Sequence, residues 1–376
     1  MKIVIAPDSF KESMTALEAA HSIERGLKKA LPNAEYVKVP MADGGEGTVQ
    51  SLVDATGGSL IYIEVTGPLG NKVDSFFGIL GDGKTAVIEM AAASGLHQVP
   101  MNQRNPLITT TKGTGDLILA ALDKGVEHII IGIGGSATND GGAGMAQALG
   151  VKLLDSEGNS VDYGGGELQR IEKIDLSELD PRVKDVKIEV ACDVDNPLTG
   201  ERGASAVFGP QKGATPEMVQ TLDRNLKHYA AKIKEFVGMD IEYVEGAGAA
   251  GGLGAGLMAF LSAELKRGVD IVIDAVQLEK QVQGATFVIT GEGRIDRQTI
   301  YGKTPIGVAK VAKKFDIPVF GVAGLLGEES EVVYDYGIDA LFSIVPGAIP
   351  LEVAMEKAQE FTERQAENIG RLIKSL

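Results

Sequence analysis

Five short segments of this chain carry the side chains that could do chemistry. Asp8-Ser9-Phe10-Lys11 sets an acid and a lysine close together. The acid could hold a hydroxyl or a metal, and the lysine could meet a phosphate or a substrate carboxylate. Asp43-Gly44-Gly45-Glu46 flanks a flexible turn with two carboxylates and opens onto a helix start. Mg2+ takes one or two carboxylates plus phosphate oxygens, so the pattern suits a nucleotide site; an acid-rich helix N-terminus is the plainer alternative. Gly134-Gly135-Ser136-Ala137-Thr138-Asn139-Asp140-Gly141-Gly142 offers a row of small polar groups suited to a small polyhydroxylated acid. Asp193, before Val194-Asp195-Asn196-Pro197, ends an apolar run, a good place for a general base. An Asx turn leading into Asn196-Pro197 is the alternative there. Gly291-Glu292-Gly293-Arg294-Ile295-Asp296, followed by Gly302-Lys303-Thr304, forms a dense mixed-charge cluster. It is not a P-loop, because Arg297 stands where the first glycine is required.

Two of these regions, and a further stretch at 246–256, share a pattern in which an apolar run breaks into glycines. Ile129-Ile130-Ile131 precedes Gly132, Val244-Glu245 precedes the glycine- and alanine-rich stretch 246–256, and Phe287-Val288-Ile289-Thr290 precedes Gly291. Glycine lets a backbone turn sharply and bring its N–H groups close to a ligand. At helix N-termini such groups bind anions, phosphate above all. Repeated three times and loaded with carboxylates, the pattern points to an enzyme acting on a phosphorylated compound. The stretch 246–256 either covers phosphates or forms a hinge.

The elements that must position these loops can be read from periodicity. Residues 3–6 form a short apolar strand without alternation, as when both faces are buried. Thr15 and Glu18 have capping-box spacing, and Leu17, Ala20, Ile23, Leu27 and Ala30 repeat at helical intervals. A strand at 36–41 and a helix at 46–55 complete a β-α-β-α opening, which implies a parallel sheet. Short strands at 61–65, 76–80 and 86–90, separated by Gly67-Pro68 and Gly81-Asp82, leave no room for helices and start a different, partly antiparallel region. That region continues through a helix at 113–124, strands at 128–133, 151–154 and 187–192, and a helix from Thr215-Pro216 to about 237. The α/β rhythm returns with strands at 286–290, 318–322 and 340–345 and helices at 304–314, 328–336 and 351–373. The expected fold is therefore α/β: a doubly wound parallel-sheet domain, flavodoxin- or Rossmann-like, made from both chain ends (1–60 plus 260–376), with an inserted mixed α/β domain (61–259). The active site is expected in the cleft between them, since open α/β sheets bind ligands beyond the carboxyl ends of their strands.

Composition sets the outer limits. The chain has 376 residues and 49 glycines, near twice the average usage of about 7%. A net charge of −16 argues against nucleic acid or an anionic membrane as partner. One cysteine, Cys192, excludes an internal disulfide, and four scattered histidines show no metal-ligand spacing. With no signal peptide and no transmembrane-length apolar window, the default location is cytoplasmic. The absence of G-x-S-x-G makes serine hydrolase chemistry a poor fit.

In combination, Ala6-Pro7-Asp8-Ser9-Phe10-Lys11, Asp43-Gly44-Gly45-Glu46-Gly47-Thr48, Gly134 to Gly142 and Thr290-Gly291-Glu292-Gly293-Arg294-Ile295-Asp296 resemble the type-1 glycerate kinase family of bacteria, over nearly the whole chain. The resemblance implies phosphorylation of D-glycerate by ATP with Mg2+, with 2-phosphoglycerate as the usual product. It also implies the two-domain architecture inferred above. On this reading the nucleotide phosphates meet Gly44, Gly45, Gly134, Gly135, Gly291, Gly293 and Lys303. Asp43, Glu46 and Glu292 bind the metal. Asp8, Ser9, Ser136, Thr138, Asn139, Asp140, Asn196 and Arg294 bind substrate. Lys11 faces an anion, and Asp193 is the base, with Asp296 in reserve. Such an enzyme works as a monomer or homodimer, closing over its substrates to exclude water. Two rivals share the same residues. Gly132 to Ala137, with Asp155 after the next strand, imitates a dinucleotide fingerprint and would suit an NAD-dependent oxidoreductase on a small hydroxy acid. A non-catalytic metabolite-binding module is the other.

Overall fold

The computed structural model describes residues 1–376. Its contacts divide the chain into two compact units, one of residues 1–43, 50–58 and 269–376, the other of 44–49 and 59–268. Residues 44–49, counted with the first unit by the α/β rhythm, group with the second, and the chain returns after Gly268.

The first unit is built on a five-stranded, all-parallel sheet. Its spatial order is Ala340–Ser343, Val319–Leu326, Phe287–Ile295, Lys2–Pro7, Glu35–Lys38. Numbered along the chain this is 2-1-3-4-5, the flavodoxin-like order, whose switch point lies between Lys2–Pro7 and Phe287–Ile295. Ile3, Val4, Ile5 and Ala6 are all fully buried, as a strand covered on both faces requires. The helix Ala16–Ala30 starts at the expected Thr15–Glu18 capping box. It packs on Ala358–Ser375 so closely that a Cβ on Gly26 would lie 2.0 Å from the Glu363 carbonyl oxygen.

The second unit holds a six-stranded mixed sheet, ordered Glu264–Lys266, Lys187–Ala191, His128–Gly132, Thr85–Glu89, Lys72–Ile79, Ser59–Thr66. The first four strands are parallel and the last two join antiparallel, so the expected partly antiparallel region is present. A single large core, including Ile129, Ile131, Val190, Leu226 and Tyr229, fills this unit.

Three elements differ from their expected form. The strand expected at 286–290 runs on to Ile295, so Gly291 pairs with Val322 of the neighbouring strand and Gly293 lies within the strand instead of turning. A Cβ at Gly291 would sit 2.1 Å from the Val322 carbonyl oxygen, and one at Gly324 would sit 2.6 Å from that of Gly293. These glycines let two strands approach closely. The helix expected over 351–373 is two, Leu351–Glu356 and Ala358–Ser375, and the segment 330–336 is a 3-10 helix. No helix is long and apolar enough to cross a membrane.

Candidate active site

The carboxyl ends of the first unit's parallel strands surround a cleft of about 1060 Å³. Asp8 follows the first strand, Asp43 follows the second, and Glu292 and Arg294 belong to the third. The cleft therefore lies at the switch point, where the fold rule places a ligand.

Local chemistry holds the acids in place. Asp8 Oδ1 accepts the Ser9 N–H at 2.6 Å, and its Oδ2 accepts the Thr304 hydroxyl at 2.5 Å. Glu292 Oε1 accepts the Thr299 hydroxyl at 2.9 Å, with Lys303 Nζ 3.5 Å from Oε2. Burial pushes Asp8 up from its ordinary 3.8 to about 6, helped by repulsion from Asp43 and opposed by the bonds from Thr304 and Ser9. Burial likewise pushes Glu292 up from 4.5 to about 7, against the pull of Lys303 and Thr299 and with a further push from Asp8. Asp8, Asp43 and Glu292 thus crowd negative charge into one place, faced by Lys11, Arg294 and Lys303 on the same walls. No three acidic or histidine groups form a ready-made metal cage. Such a cage is unnecessary for Mg2+, which keeps several waters and shares carboxylates with substrate phosphates. Hard oxygen donors carrying excess negative charge fit that ion.

Asp296 plays a different part. It caps the turn after the long strand by accepting the Gln298 N–H at 2.8 Å, and it pairs with Arg294 Nε at 2.7 Å. It does not line the cleft.

The second unit gathers the other expected residues. Gly44 and Gly45 lie against the turn that begins at Gly132: a Cβ on Gly132 would be 2.8 Å from the Gly44 carbonyl oxygen, and one on Gly134 would be 4.0 Å from Gly45 Cα. Gly134 and Gly135 are exposed, and Gly135 is left-handed at φ 74. Four of the six glycines expected at phosphate therefore meet, whereas Gly291 and Gly293 are strand residues of the first unit. Glu46 is exposed, and its negative charge bears on Glu89. Glu89 accepts the Val49 N–H at 2.9 Å and so caps the helix starting at Thr48.

Ser136, Thr138, Asn139 and Asp140, the polar row expected to meet substrate, are buried. Asp140 accepts the N–H and the hydroxyl of Thr111, each at 2.8 Å, and the N–H groups of Gly142 and Gly144. It is a structural carboxylate holding the turn. Asn139 Nδ2 donates to the Ser205 hydroxyl at 3.0 Å. Lys212, fully enclosed, donates to the Ser136 hydroxyl at 2.7 Å and to the Thr138 carbonyl at 2.6 Å. Burial brings its pKa from 10.5 down to about 7, with Asp140 pulling the other way. The stretch 246–256 packs on the same turn. Ala250, Gly251 and Gly252 are all left-handed, and a Cβ on Gly251 would lie 1.9 Å from the Thr138 carbonyl oxygen. Close backbone packing, rather than phosphate covering, accounts for that glycine.

Asp193 ends the strand Lys187–Ala191 by two residues, is exposed, and accepts the Gly268 N–H at 3.1 Å. Asn196 turns inward on its own loop, donating to the Arg202 carbonyl at 2.8 Å.

Four contributors escaped the sequence reading. Thr304 and Thr299 lie beside Lys303, and hydroxyls near an acid-rich loop were the available signal. Lys212 follows Gly209-Pro210-Gln211 in the sequence, and nothing local marks it as buried. The apolar wall of the cleft, from Ile344 to Ala358, had no signal beyond a helical pattern.

The model of the glycerate kinase family matches residues 3–374. A glycerate kinase of Bacillus subtilis (strain 168) is 64% identical, covering 100% of this chain and 98% of the other. A glycerate 2-kinase of Escherichia coli (strain K12) is 58% identical over 98% of this chain and 97% of its own. A crystal structure from Salmonella typhimurium LT2, described provisionally as glycerate kinase 2, is 56% identical with a TM-score of 0.93 and covers 100% of this chain and 98% of its own.

Proposed function

From the premise that the chain belongs to the glycerate kinase family, enzymes that pass a phosphoryl group to an alcohol, we propose that it phosphorylates D-glycerate with ATP to give 2-phosphoglycerate. The observation that carries the reading is the cleft at the switch point, where four carboxylates (Asp8, Glu12, Asp43 and Glu292) and three cationic side chains share one set of walls. Phosphoryl transfer needs phosphates held in line and charge spread by cations, with little covalent help from protein. Lys11, Arg294 and Lys303 supply fixed positive charge toward the nucleotide phosphates. Mg2+ would take one or two carboxylates from among Asp8, Asp43 and Glu292, Asp8 being added to the set in place of Glu46, with waters and phosphate oxygens completing its shell, and would neutralise phosphate charge. Lys303 and the hydroxyls of Thr299 and Thr304 hold Asp8 and Glu292 in position for that task.

Asp193 is the proposed base that takes the proton from the attacking hydroxyl. Its exposure and its place beyond a parallel strand support the role. Asp193→Asn should keep the KM for ATP and lower kcat about a hundredfold or more, the ordinary reach of acid–base catalysis. ADP release in the presence of D-glycerate and Mg2+ reads the effect; near-normal turnover would remove Asp193 from the role. The same assay on the unaltered chain tests the activity, and a chain that releases no ADP is not a glycerate kinase.

A further inference from the structure

The lining of the cleft in the first unit is mixed in character. It carries Asp8, Lys11, Asp43, Glu292, Arg294 and Lys303, and beside them an apolar wall of Leu325, Ile344, Ile349, Leu351, Ala354 and Met355, with Leu325 paired to Arg294 across the two central strands. Glycerate offers this apolar wall nothing to bury, because each of its three carbons bears oxygen. The volume is also wrong for it: pockets of roughly 300–1,000 Å³ hold ligands of drug size, and this one reaches about 1060 Å³. Leu351 is 70% exposed and Leu325 53% exposed, so the wall presents apolar surface with no side chain of its own covering it. Clustered exposed apolar groups mark binding surfaces. A flat heteroaromatic base joined to a polyphosphate matches both the apolar wall and the charged groups beside it.

We propose that the wall formed by Leu325 and residues 344–358 is the subsite for the purine base of ATP. The base lies on Ile344, Ile349, Leu351 and Met355, and the polyphosphate runs toward Lys11, Arg294 and Lys303. Nucleotide binding then belongs to this unit's strand ends, and the glycines at 44, 45, 134 and 135 are left for other contacts. The inference rests on the kinase reading for its choice of nucleotide.

Two variants test it. Ala354→Trp fills the space against the apolar wall, and Leu351→Asp places a charge on an exposed position where folding is not at risk. Adenosine, which has no phosphates, is titrated into the full chain by calorimetry, with inorganic tripolyphosphate as the probe for the charged groups. Adenosine should bind the unaltered chain, compete with ATP and not with D-glycerate, and weaken about tenfold or more in both variants, the loss expected when an apolar contact surface is removed. Tripolyphosphate binding should be unchanged. Adenosine that does not bind, or variants that raise the KM for D-glycerate while leaving that for ATP alone, would overturn the assignment. Adenosine binding that is lost in Ala354→Trp, in a chain that makes no ADP from ATP and D-glycerate, would sink the kinase reading and keep the subsite. Normal turnover with an unchanged KM for ATP in both variants would do the reverse.

Discussion

At the scale of single residues, the cleft depends on carboxylates kept from ionising easily. Asp8 and Glu292 hold their protons to about pH 6 and 7 in the folded chain, above their ordinary 3.8 and 4.5. A raised folded pKa means that the folded state binds more protons in that window. The stability these groups contribute is therefore complete below their ordinary values and lost as pH rises through about 6 to 7. In the metal-free protein the melting temperature should fall across this interval, and Asp8→Asn should flatten the fall. Mg2+ binds the ionised form, so it should raise the melting temperature more at about pH 8 than at about pH 5.5, and much less in Asp8→Asn or Glu292→Gln. A metal effect independent of pH, or intact in both variants, would contradict the cluster. Lys212 gives a second prediction. Lys212→Met keeps most of the side-chain volume but removes the donor to the Ser136 hydroxyl and the Thr138 carbonyl. Leaving buried acceptors unsatisfied costs about 1–3 kcal/mol. Urea denaturation should show a loss of that size, whereas an unchanged midpoint would mean water replaces the ammonium.

At the scale of elements, glycine has two separate uses in this chain, and the sequence shows only that it is present. Gly135 sits in a turn with positive φ, but Gly291 lies in a strand where a side chain would strike the Val322 carbonyl. Gly291→Val should therefore pry apart the central strand pair and yield insoluble or poorly folded protein, judged by circular dichroism and solubility; a well-folded variant would show that the strands can spread. Thr15→Ala should cost about 1 kcal/mol, the usual loss for a helix cap, in the same urea titration. Local signals of this kind were legible. The capping box at Thr15, the helix from Thr215-Pro216 and the buried strand at Ile3 each depend on neighbours in sequence, and each formed as expected. Pairing is not local. Nothing within Gly291 to Ile295 tells a turn from a strand whose partner is Val319–Leu326, because the deciding contact is with another segment.

At the scale of the whole molecule, the same division holds for the site. Alternating strands and helices at both chain ends announced a doubly wound sheet, and the 2-1-3-4-5 order made its switch point the place to look. Asp8, Lys11, Asp43, Glu292, Arg294 and Lys303 were singled out by type and are brought to one cleft. Ser136, Thr138, Asn139 and Asp140 looked equally chemical and proved to be buried, because a polar row next to glycines reads alike whether it faces a ligand or its own backbone. With a net charge of −16, the few cations of the cleft are the feature that would draw the anionic nucleotide of the proposed reaction. The central claim is phosphoryl transfer from ATP to the 2-hydroxyl of D-glycerate, and phosphorus NMR of the reaction mixture tests it most directly. The account predicts loss of the ATP signals and a new phosphate ester resonance split into a doublet by the lone proton on carbon 2. A triplet, from ester at carbon 3, would contradict the position, and ATP left intact beside D-glycerate and Mg2+ would contradict the reaction itself.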